Sequence, residues 1–570
     1  MNTVINERSL EPKWWLKHYP HGVAHDINLT RYTSLPAMAE ECFQKYPDHP
    51  AYTCMDKTLT YREVDSLSTA FGAWLQSKGL KKGARVALMM PNVLQYPVAI
   101  LAVLRAGFVV VNINPLYTPR ELEHQLNDSG AEIIVILENF APTLEAVLPK
   151  TKIKQVVLAS IGDLLGFPKG LITNFVLRKI KKIVPSFSLH GSVRFNEAVR
   201  EGKSLNLVKP QLGPEEIAFL QYTGGTTGVS KGAVLVHANI FGNAMVSEEW
   251  LKPAMEDTSK GPPPDSPIVI CALPMYHIFC LVTCMWLSIK LGGHCVLITN
   301  PRDIDGIVET MRKYKFHVFP AVNTMFNSLI NHPAFAALDF SQLRVSNGGG
   351  MAVQRAVAEK WLSITGVPIV EGYGLTETSS GATCNEVMNK SFTGDVGMPM
   401  PGTEVSIRDD AEAEVALGQP GEICLRGPQV MRGYWQRPDE TAKVMTRDGF
   451  FKSGDIGIML PNGHVKIVDR KKDMILVSGF NVYPNEIEDV VASLPGVMEC
   501  AVIGVADEKT GEAVKLFIVK KDPALTEAAV MEYCRKNLTG YKCPRTIVFR
   551  ESLPKSNVGK ILRRELRDKT

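Results

Sequence analysis

Between two apolar runs, 217–220 and 234–236, the chain reads Tyr222-Thr-Gly-Gly-Thr-Thr-Gly-Val-Ser-Lys-Gly-Ala233. Gly224, Gly225 and Gly228 let the backbone turn sharply and bring N–H groups close to an anion. Thr223, Thr226, Thr227 and Ser230 add hydroxyl donors, and Lys231 adds a positive charge. The spacing is not that of a Walker A loop. A plain flexible loop would have no need of glycines, hydroxyls and a lysine together. A second element is Val370-Glu-Gly-Tyr-Gly-Leu-Thr-Glu-Thr378, fed by the strand-like run 367–370. Tyr373 could stack on a purine, and Glu377 is a hard oxygen ligand suited to Mg2+ beside phosphates. A third spans 448–472, where Asp455 could accept from two vicinal ribose hydroxyls and Arg470 could hold a ribose or phosphate oxygen. A fourth, Pro554-Lys-Ser-Asn-Val-Gly-Lys560, stands ten residues from the C-terminus. Each of these last three also has a plainer reading: a solvated glutamate, a hairpin salt bridge, a solvated tail.

Such groups need a scaffold. Strand-like runs at 86–90, 109–113, 133–137 and 155–158 alternate with helical spacing at 97–105 and 118–126, which argues for α/β architecture with largely parallel sheets. Around 403–426, short alternating strands bounded by Gly and Pro predict a more antiparallel β portion. Beyond residue 472 the pattern predicts a compact unit: helix 484–494, strands 500–505 and 515–519, helix 527–538 and strand 546–549. The first of these helices opens on proline, where a missing N–H costs nothing. Its residues Ile487, Val490, Val491 and Leu494 form one apolar face.

Composition narrows the class. With 45% apolar and 21% charged residues, the 570-residue chain is too apolar for a disordered one. Its 63 Lys+Arg against 59 Asp+Glu leave a net charge of +4, no nucleic-acid footprint. Eleven cysteines occur without a C-x-x-C pair. The closest two, Cys280 and Cys284, have no neighbouring His/Cys cluster in sequence, so neither a disulfide framework nor a zinc site is expected. A reducing cytoplasm fits, and the polar N-terminus offers no apolar signal-peptide core. Residues 268–289 carry no Asp, Glu, Lys or Arg and, at 22 residues, are long enough for a membrane span. Pro274, Tyr276 and His277 near the middle favour a buried strand, a turn and a buried helix. Residues 164–187 mix bulky apolar side chains with Lys169, Arg178, Lys179, Lys181 and Lys182. Such a segment can lie on an anionic membrane surface or pack as a solvated helix.

YTGGTTGVSKGA, EGYGLTET, SGDIG…DRKKDMI, SGFNVYPNEIEDVV and PKSNVGK follow one another in this order. Together they resemble the adenylate-forming superfamily of acyl-CoA synthetases, luciferases and peptide-synthetase adenylation domains. Residues 448–472 are similar to the signature segment of its fatty acyl-CoA synthetases. Ser453 departs from the threonine that many members carry, but keeps the hydroxyl.

The resemblance implies a large N-terminal AMP-binding domain (1–469), a hinge (470–472, turning at Lys472) and a small mobile α+β C-terminal domain (473–570). It implies ATP, Mg2+ and coenzyme A, with a long-chain fatty acid activated to acyl-AMP and then passed to the CoA thiol. Thr223, Gly224, Gly225, Thr226, Thr227, Gly228, Ser230 and Lys231 would cradle the β- and γ-phosphates. Thr376 and Glu377 would sit at the α-phosphate and Mg2+. Tyr373 and the turn Gly348, Gly349, Gly350 would flank adenine, Gly374 would belong to the same nucleotide site, and Asp455 and Arg470 would hold the ribose. Lys560 would bridge carboxylate and phosphate oxygens. Ser478, Gly479 and Phe480 would form the CoA side.

Leu273-Pro-Met-Tyr-His-Ile-Phe279 matches the family's acyl-site segment. It lacks the Asp that holds an amino-acid substrate, and Tyr276, His277 and Phe279 suit an alkyl chain. Medium-chain or aryl acids, and a carrier-protein loader, are the alternatives. A non-catalytic nucleotide-binding scaffold would have no use for Lys231, Glu377 and Lys560. The expected setting is cytoplasmic and peripheral on the inner membrane face, with 164–187 as the contact. A homodimer is left open.

Overall fold

The structure, a computed structural model, describes residues 13–223, 230–478, 480–507, 509–556 and 559–567. Two large sheets form its N-terminal part. One has seven strands in the order Val193–Arg194, Gln155–Ala159, Ile133–Leu137, Arg85–Met89, Val109–Asn112, Ile217–Thr223 and Lys231–Val236. All its pairings are parallel except the last, a hairpin. The other has nine strands. Its central run, Ile369–Leu375, Val345–Gly349, Val318–Ala321, Ile268–Cys271, His294–Leu297 and Pro50–Cys54, is parallel, and its edges are antiparallel.

Parallel strands covered on both faces must be apolar throughout. Ile133–Leu137 meets that condition, every residue being buried. Alternate side chains then enter different cores: Ile133, Val135 and Leu137 join the main one, while Ile134 and Ile136 face a second beyond the sheet. The expected strands and helices are found within a few residues of their predicted bounds. Helix Pro119–Ser129 is started by a capping box in which Thr118 and Glu121 satisfy each other's backbone N–H groups.

The stretch 268–289 is the strand Ile268–Cys271, a turn and a helical segment from Ile278 to Leu291 that includes a π-turn at Leu281–Trp286. No described helix is long and apolar enough to cross a membrane. The cysteines are free thiols, and folding adds one contact to them. The strand ends beneath the helix, and the i, i+4 pair Cys280 and Cys284 meets Cys271, the three sulfurs lying within 4.8 Å of one another and closed off from solvent. Only folding supplies that third cysteine.

Segment 164–187 forms the helix Lys169–Phe175 and a π-turn, Val176–Ile180. Phe167, Leu171, Ile172, Phe175, Ile180 and Ile183 stand exposed on it, Phe167 at 87%. Arg178 departs from the expected basic face: its guanidinium turns inward and donates twice to the buried Glu138, at 3.0 and 2.8 Å.

Next come four antiparallel strands, Glu404–Arg408, Gly421–Arg426, Phe451–Met459 and Val465–Arg470. The predicted antiparallel texture around 403–426 is their first hairpin. A separate five-stranded sheet starts at Ile475. It carries the helices Pro484–Ala492 and Glu527–Asn537, and its core gathers Ile487, Val491, Val502 and Leu516. On the other face, Leu566 of the last helix, Arg563–Arg567, packs with Ala501, Ile503 and Phe517.

Candidate active site

The hairpin Ile217–Thr223/Lys231–Val236 brings Thr223 opposite Lys231. The glycines and threonines between them, Gly224, Gly225, Thr226, Thr227 and Gly228, lie outside the described residues. Ser230 stands at the end of that loop, its carbonyl hydrogen-bonded to His124 Nε2 at 3.0 Å. The Lys231 ammonium pairs with Glu440 and lies 5.2 Å from the Tyr434 ring centre. The Tyr434 hydroxyl in turn donates to Glu377 Oε1 at 2.8 Å. One aromatic ring therefore links Lys231 to the carboxyl of the second motif.

Glu377 sits on a single turn, Thr376–Thr378, just past the strand Ile369–Leu375. The chain then reverses through Ser379 (φ +50°) and Ser380 (φ +96°), conformations that non-glycine residues rarely adopt. Gly374 is required by contact: a β-carbon there would fall 1.6 Å from the Ser380 carbonyl oxygen. Glu377 is buried, and burial pushes its carboxyl up; the Tyr434 hydrogen bond opposes this.

Asp455 and Arg470 are register partners on adjacent strands, with Arg470 Nε 3.4 Å from Asp455 Oδ1. The other carboxylate oxygen accepts from the Tyr373 hydroxyl at 2.7 Å. The strand carrying Tyr373 and the four-stranded sheet thus meet at one carboxylate. Ser453 Oγ accepts from the Asp455 N–H at 3.1 Å, so the retained hydroxyl has a partner beside the carboxylate.

Of the expected turn, Gly348 and Gly349 instead end the strand Val345–Gly349, paired with Ile369–Leu375, and only Gly350 lies beyond it. These glycines answer to close approach: a β-carbon on Gly349 would stand 3.0 Å from the Phe279 ring, and one on Gly350 (φ +77°) would stand 3.3 Å from Lys560 Cε. Lys560 thus crosses this turn, its loop tied down where Thr324 Oγ1 donates to the Gly559 carbonyl at 3.2 Å. Burial, helped by Arg470, pushes the Lys560 ammonium down to about 8, while Asp455 and Glu377 pull it back up. The same lysine lies near the acyl segment: burial, then Lys560, pushes His277 down to about 3, an uncharged imidazole.

That segment is held by residues the sequence reading did not single out. Asn92 donates to the Leu273 carbonyl at 2.7 Å and accepts from the Met275 N–H at 2.8 Å. Gln221 donates to the Tyr276 carbonyl at 2.6 Å and is braced by Asn112 and, behind it, Tyr96. Tyr434, Glu440 and the buried Glu371, whose carboxyl burial pushes up to about 8, were also missed. The signal for Asn92, Asn112 and Gln221 was there: a buried amide must find hydrogen-bond partners, which Asn92 and Gln221 have in the backbone and Asn112 in the side chains of Gln221 and Tyr96.

Other expected residues stand apart from this group. Ser478 (φ +52°) bonds through its N–H to the Thr510 carbonyl at 2.8 Å. Gly479 lies outside the described residues. Phe480 is 56% exposed and stacks on Tyr541 with ring centres 4.8 Å apart. Lys472 is exposed, yet the desolvation of its ammonium, together with Arg470, pushes it down to about 8.

Comparison with known proteins gives a consistent picture. Residues 39–435 match the family described as AMP-binding enzyme, and residues 486–560 match the AMP-binding enzyme C-terminal domain. A "Long-chain-fatty-acid--CoA ligase" of Escherichia coli O157:H7 is 53% identical over 557 residues, 98% of each chain. Among solved structures, an anthranilate CoA ligase in complex with anthranoyl-AMP superposes with a TM-score of 0.83 at 23% identity, covering 95% of this chain and 99% of that one. ATP-bound MatB from Rhodopseudomonas palustris superposes with a TM-score of 0.77 at 26% identity, covering 94% and 99%.

Proposed function

The chain belongs to the AMP-binding enzyme family, and from that premise we propose that it is an ATP-dependent, AMP-forming long-chain fatty acid–CoA ligase. A fatty carboxylate attacks the α-phosphorus of ATP, giving acyl-AMP and pyrophosphate. The CoA thiol then attacks the acyl carbon, giving acyl-CoA and AMP. A carboxylate is a poor electrophile, and adenylation provides it with a good leaving group. The observation that carries the reading is the crossing of Lys560 over Gly350 within the electrostatic reach of Asp455 and Glu377.

In this reading Lys560 neutralises charge that builds on the carboxylate and α-phosphate oxygens, a transition-state interaction in a water-poor site. Lys231, released from Glu440, takes the β- and γ-phosphates with Thr223, Ser230 and the loop between them. Asp455 accepts from the ribose hydroxyls, its own orientation set by Tyr373 and Arg470. Adenine lies by Tyr373, Gly374 and the Gly348–Gly350 segment. These groups act mainly by position.

Mg2+ fits Glu377. The carboxyl is a hard oxygen donor with one oxygen held by Tyr434, and its burial makes a nearby cation the natural stabiliser of the ionised form. Bound there beside Thr376, the ion would offset phosphate charge.

The acyl chain is proposed to lie along Tyr276, His277 and Phe279, where a neutral His277 keeps the wall free of charge. Each buried methylene contributes about 0.8 kcal/mol. Residues 1–469 and 473–570 are proposed to turn relative to each other at Lys472, presenting Ser478, Gly479 and Phe480 to CoA in the second step. The exposed apolar side chains of 167–183, flanked by Lys179, Lys181 and Lys182, are proposed to rest on an anionic membrane from which the substrate is drawn.

The test is release of AMP and pyrophosphate with and without CoA across acid lengths. Sustained AMP release that requires CoA and rises with chain length is expected. CoA-independent turnover, or none with any fatty acid, overturns the reading.

A further inference from the structure

Arg563 stands three residues beyond Lys560, at the start of the last helix. Its side chain is largely buried and bonded on every edge. Nε and Nη2 donate to the two carboxylate oxygens of Glu488 at 3.2 and 2.8 Å, and Nη2 also donates to Asn485 Oδ1 at 2.6 Å. Both partners belong to the helix Pro484–Ala492 of the small unit. The remaining nitrogen, Nη1, reaches Asp469 Oδ1 at 3.3 Å and Asp473 Oδ2 at 3.5 Å. Those two aspartates bracket the segment Arg470-Lys471-Lys472. One guanidinium therefore touches the residue before the hinge and the residue after it.

The two ends are not equivalent. Asp473 lies on the small unit's side and is also held by Arg567 at 2.9 Å. Asp469 belongs to the strand Val465–Arg470 of the four-stranded sheet, next to its last residue, and is fully buried. Besides Arg563 it accepts from the Arg470 N–H at 2.7 Å and from the Asn485 N–H at 2.9 Å. Of its three partners, two come from the far side of the hinge. Burial pushes its carboxyl up, and Arg563 is the first influence holding it down. A buried carboxylate without its cation is strongly disfavoured. The pair thus belongs to the orientation in which Lys560 crosses Gly350. Rotation about Lys472 would carry Arg563 and Asn485 away from Asp469.

We propose that Arg563 is a positioning residue for the first half-reaction, and that its pairing with Asp469 is the latch that holds Lys560 in the site until acyl-AMP has formed. The proposal rests on the ligase reading and on Lys472 as the hinge. It couples two things through one side chain: the place of the Lys560 loop and the set of the hinge.

The test separates the half-reactions in the full-length chain. Pyrophosphate exchange reads adenylation; thioester formation from supplied acyl-AMP reads the second step. Arg563→Met and Asp469→Asn are expected to slow exchange by about ten- to a hundred-fold, the usual scale for misplacing a reacting group, while the second step stays within about two-fold. Arg563→Lys, which keeps the charge but loses the fork, is expected to fall between them and the parent. Trypsin should also cut faster at Arg470, Lys471 or Lys472 in the weakened variants. Should Arg563→Met not fold, Asp469→Asn, close to isosteric, carries the test. Equal losses in both half-reactions, or no loss in either, overturn the latch and leave the ligase reading intact. Absence of exchange in the parent with every fatty acid overturns the ligase reading itself, and the latch with it.

Discussion

Lys560 and Gly350 meet where a β-carbon could barely stand, 3.3 Å from Lys560 Cε. The residues are 210 apart in sequence, the difference between 560 and 350, and belong to opposite parts of the chain. The left-handed backbone of Gly350 and the crossing lysine make one arrangement. The left-handed backbone disfavours a side chain at this turn, and the lysine stands against the space one would take.

Gly350→Val should accordingly act on chemistry more than on folding. The position has φ +77°, so a β-branched residue is strained there, and its methyls would push the lysine aside. Adenylation should fall at least about a hundred-fold, with a smaller change in thioester formation from supplied acyl-AMP. Equal loss of both would detach Gly350 from Lys560.

Lys560→Ala should abolish acyl-AMP formation and spare the second step. The pH profile gives an independent handle. The ammonium must be protonated to stabilise developing negative charge, and burial holds its pKa at about 8 in the free protein. The kcat/KM of adenylation, which reports the free enzyme, should therefore decline as pH rises through about 8. Lys560→Arg, charged throughout, should flatten that limb even at reduced rate.

Glu377→Gln should lower kcat steeply and weaken the response to Mg2+, because the amide replaces a charged ligand oxygen. Tyr434→Phe removes only the hydroxyl that fixes Glu377 and should cost less, about ten-fold. Titrating Mg2+ in both variants distinguishes them. The glutamine variant should need more metal, and the phenylalanine variant should shift little.

How much of this could be read beforehand depended on range. Ile133–Leu137 was legible because a strand buried on both faces must be apolar at every position. Helix Pro119–Ser129 was legible because Thr118 and Glu121 form a local cap. The motif residues Lys231, Glu377, Asp455 and Lys560 were legible as types and spacings. Their connections were not. Tyr434, which bridges Lys231 and Glu377, stands 203 positions from the first (434 − 231) and 57 from the second (434 − 377), and no local pattern encodes the link. Cys271 joins Cys280 and Cys284 only through strand-to-helix packing. Arg178 has the composition of a surface cation, yet its side chain turns to Glu138, a choice set by a buried carboxylate elsewhere in the chain.

The apolar face of 167–183 gives a prediction separable from catalysis. Phe167→Ser with Phe175→Ser and Ile180→Ser should reduce co-sedimentation with vesicles containing anionic lipid, and turnover of a short water-soluble acid should be unchanged. Replacing Lys179, Lys181 and Lys182 should weaken the same binding in a salt-dependent way. Arg178→Ala should instead destabilise the fold, since it leaves the buried Glu138 with less compensation. Unchanged sedimentation of both surface variants would discard the membrane contact.

His464 provides a stability prediction with a definite sign. Its ring nitrogens bond Asp395 at 2.8 Å and Glu386 at 3.2 Å. It precedes the strand Val465–Arg470, so it anchors the loop around 386–395 to the sheet that carries Asp455. Burial would push the imidazole down, but the two carboxylates overcome it and raise it to about 9. A folded value above the unfolded one means the charged histidine stabilises the fold fully below about 6.5, and that contribution is lost as pH rises through about 9. A shift of this size corresponds to about 3 kcal/mol. On the acid side, Glu386 and Asp395 are held below their ordinary values by His464 despite burial, so the same bonds fail as pH falls and the carboxylates protonate. His464→Gln should therefore be less stable than the parent from about pH 5 to 7, and the gap should close toward pH 10. Urea midpoints measured at pH 6 and pH 10 check this. A gap of equal size at both would mean that His464 contributes packing rather than charge.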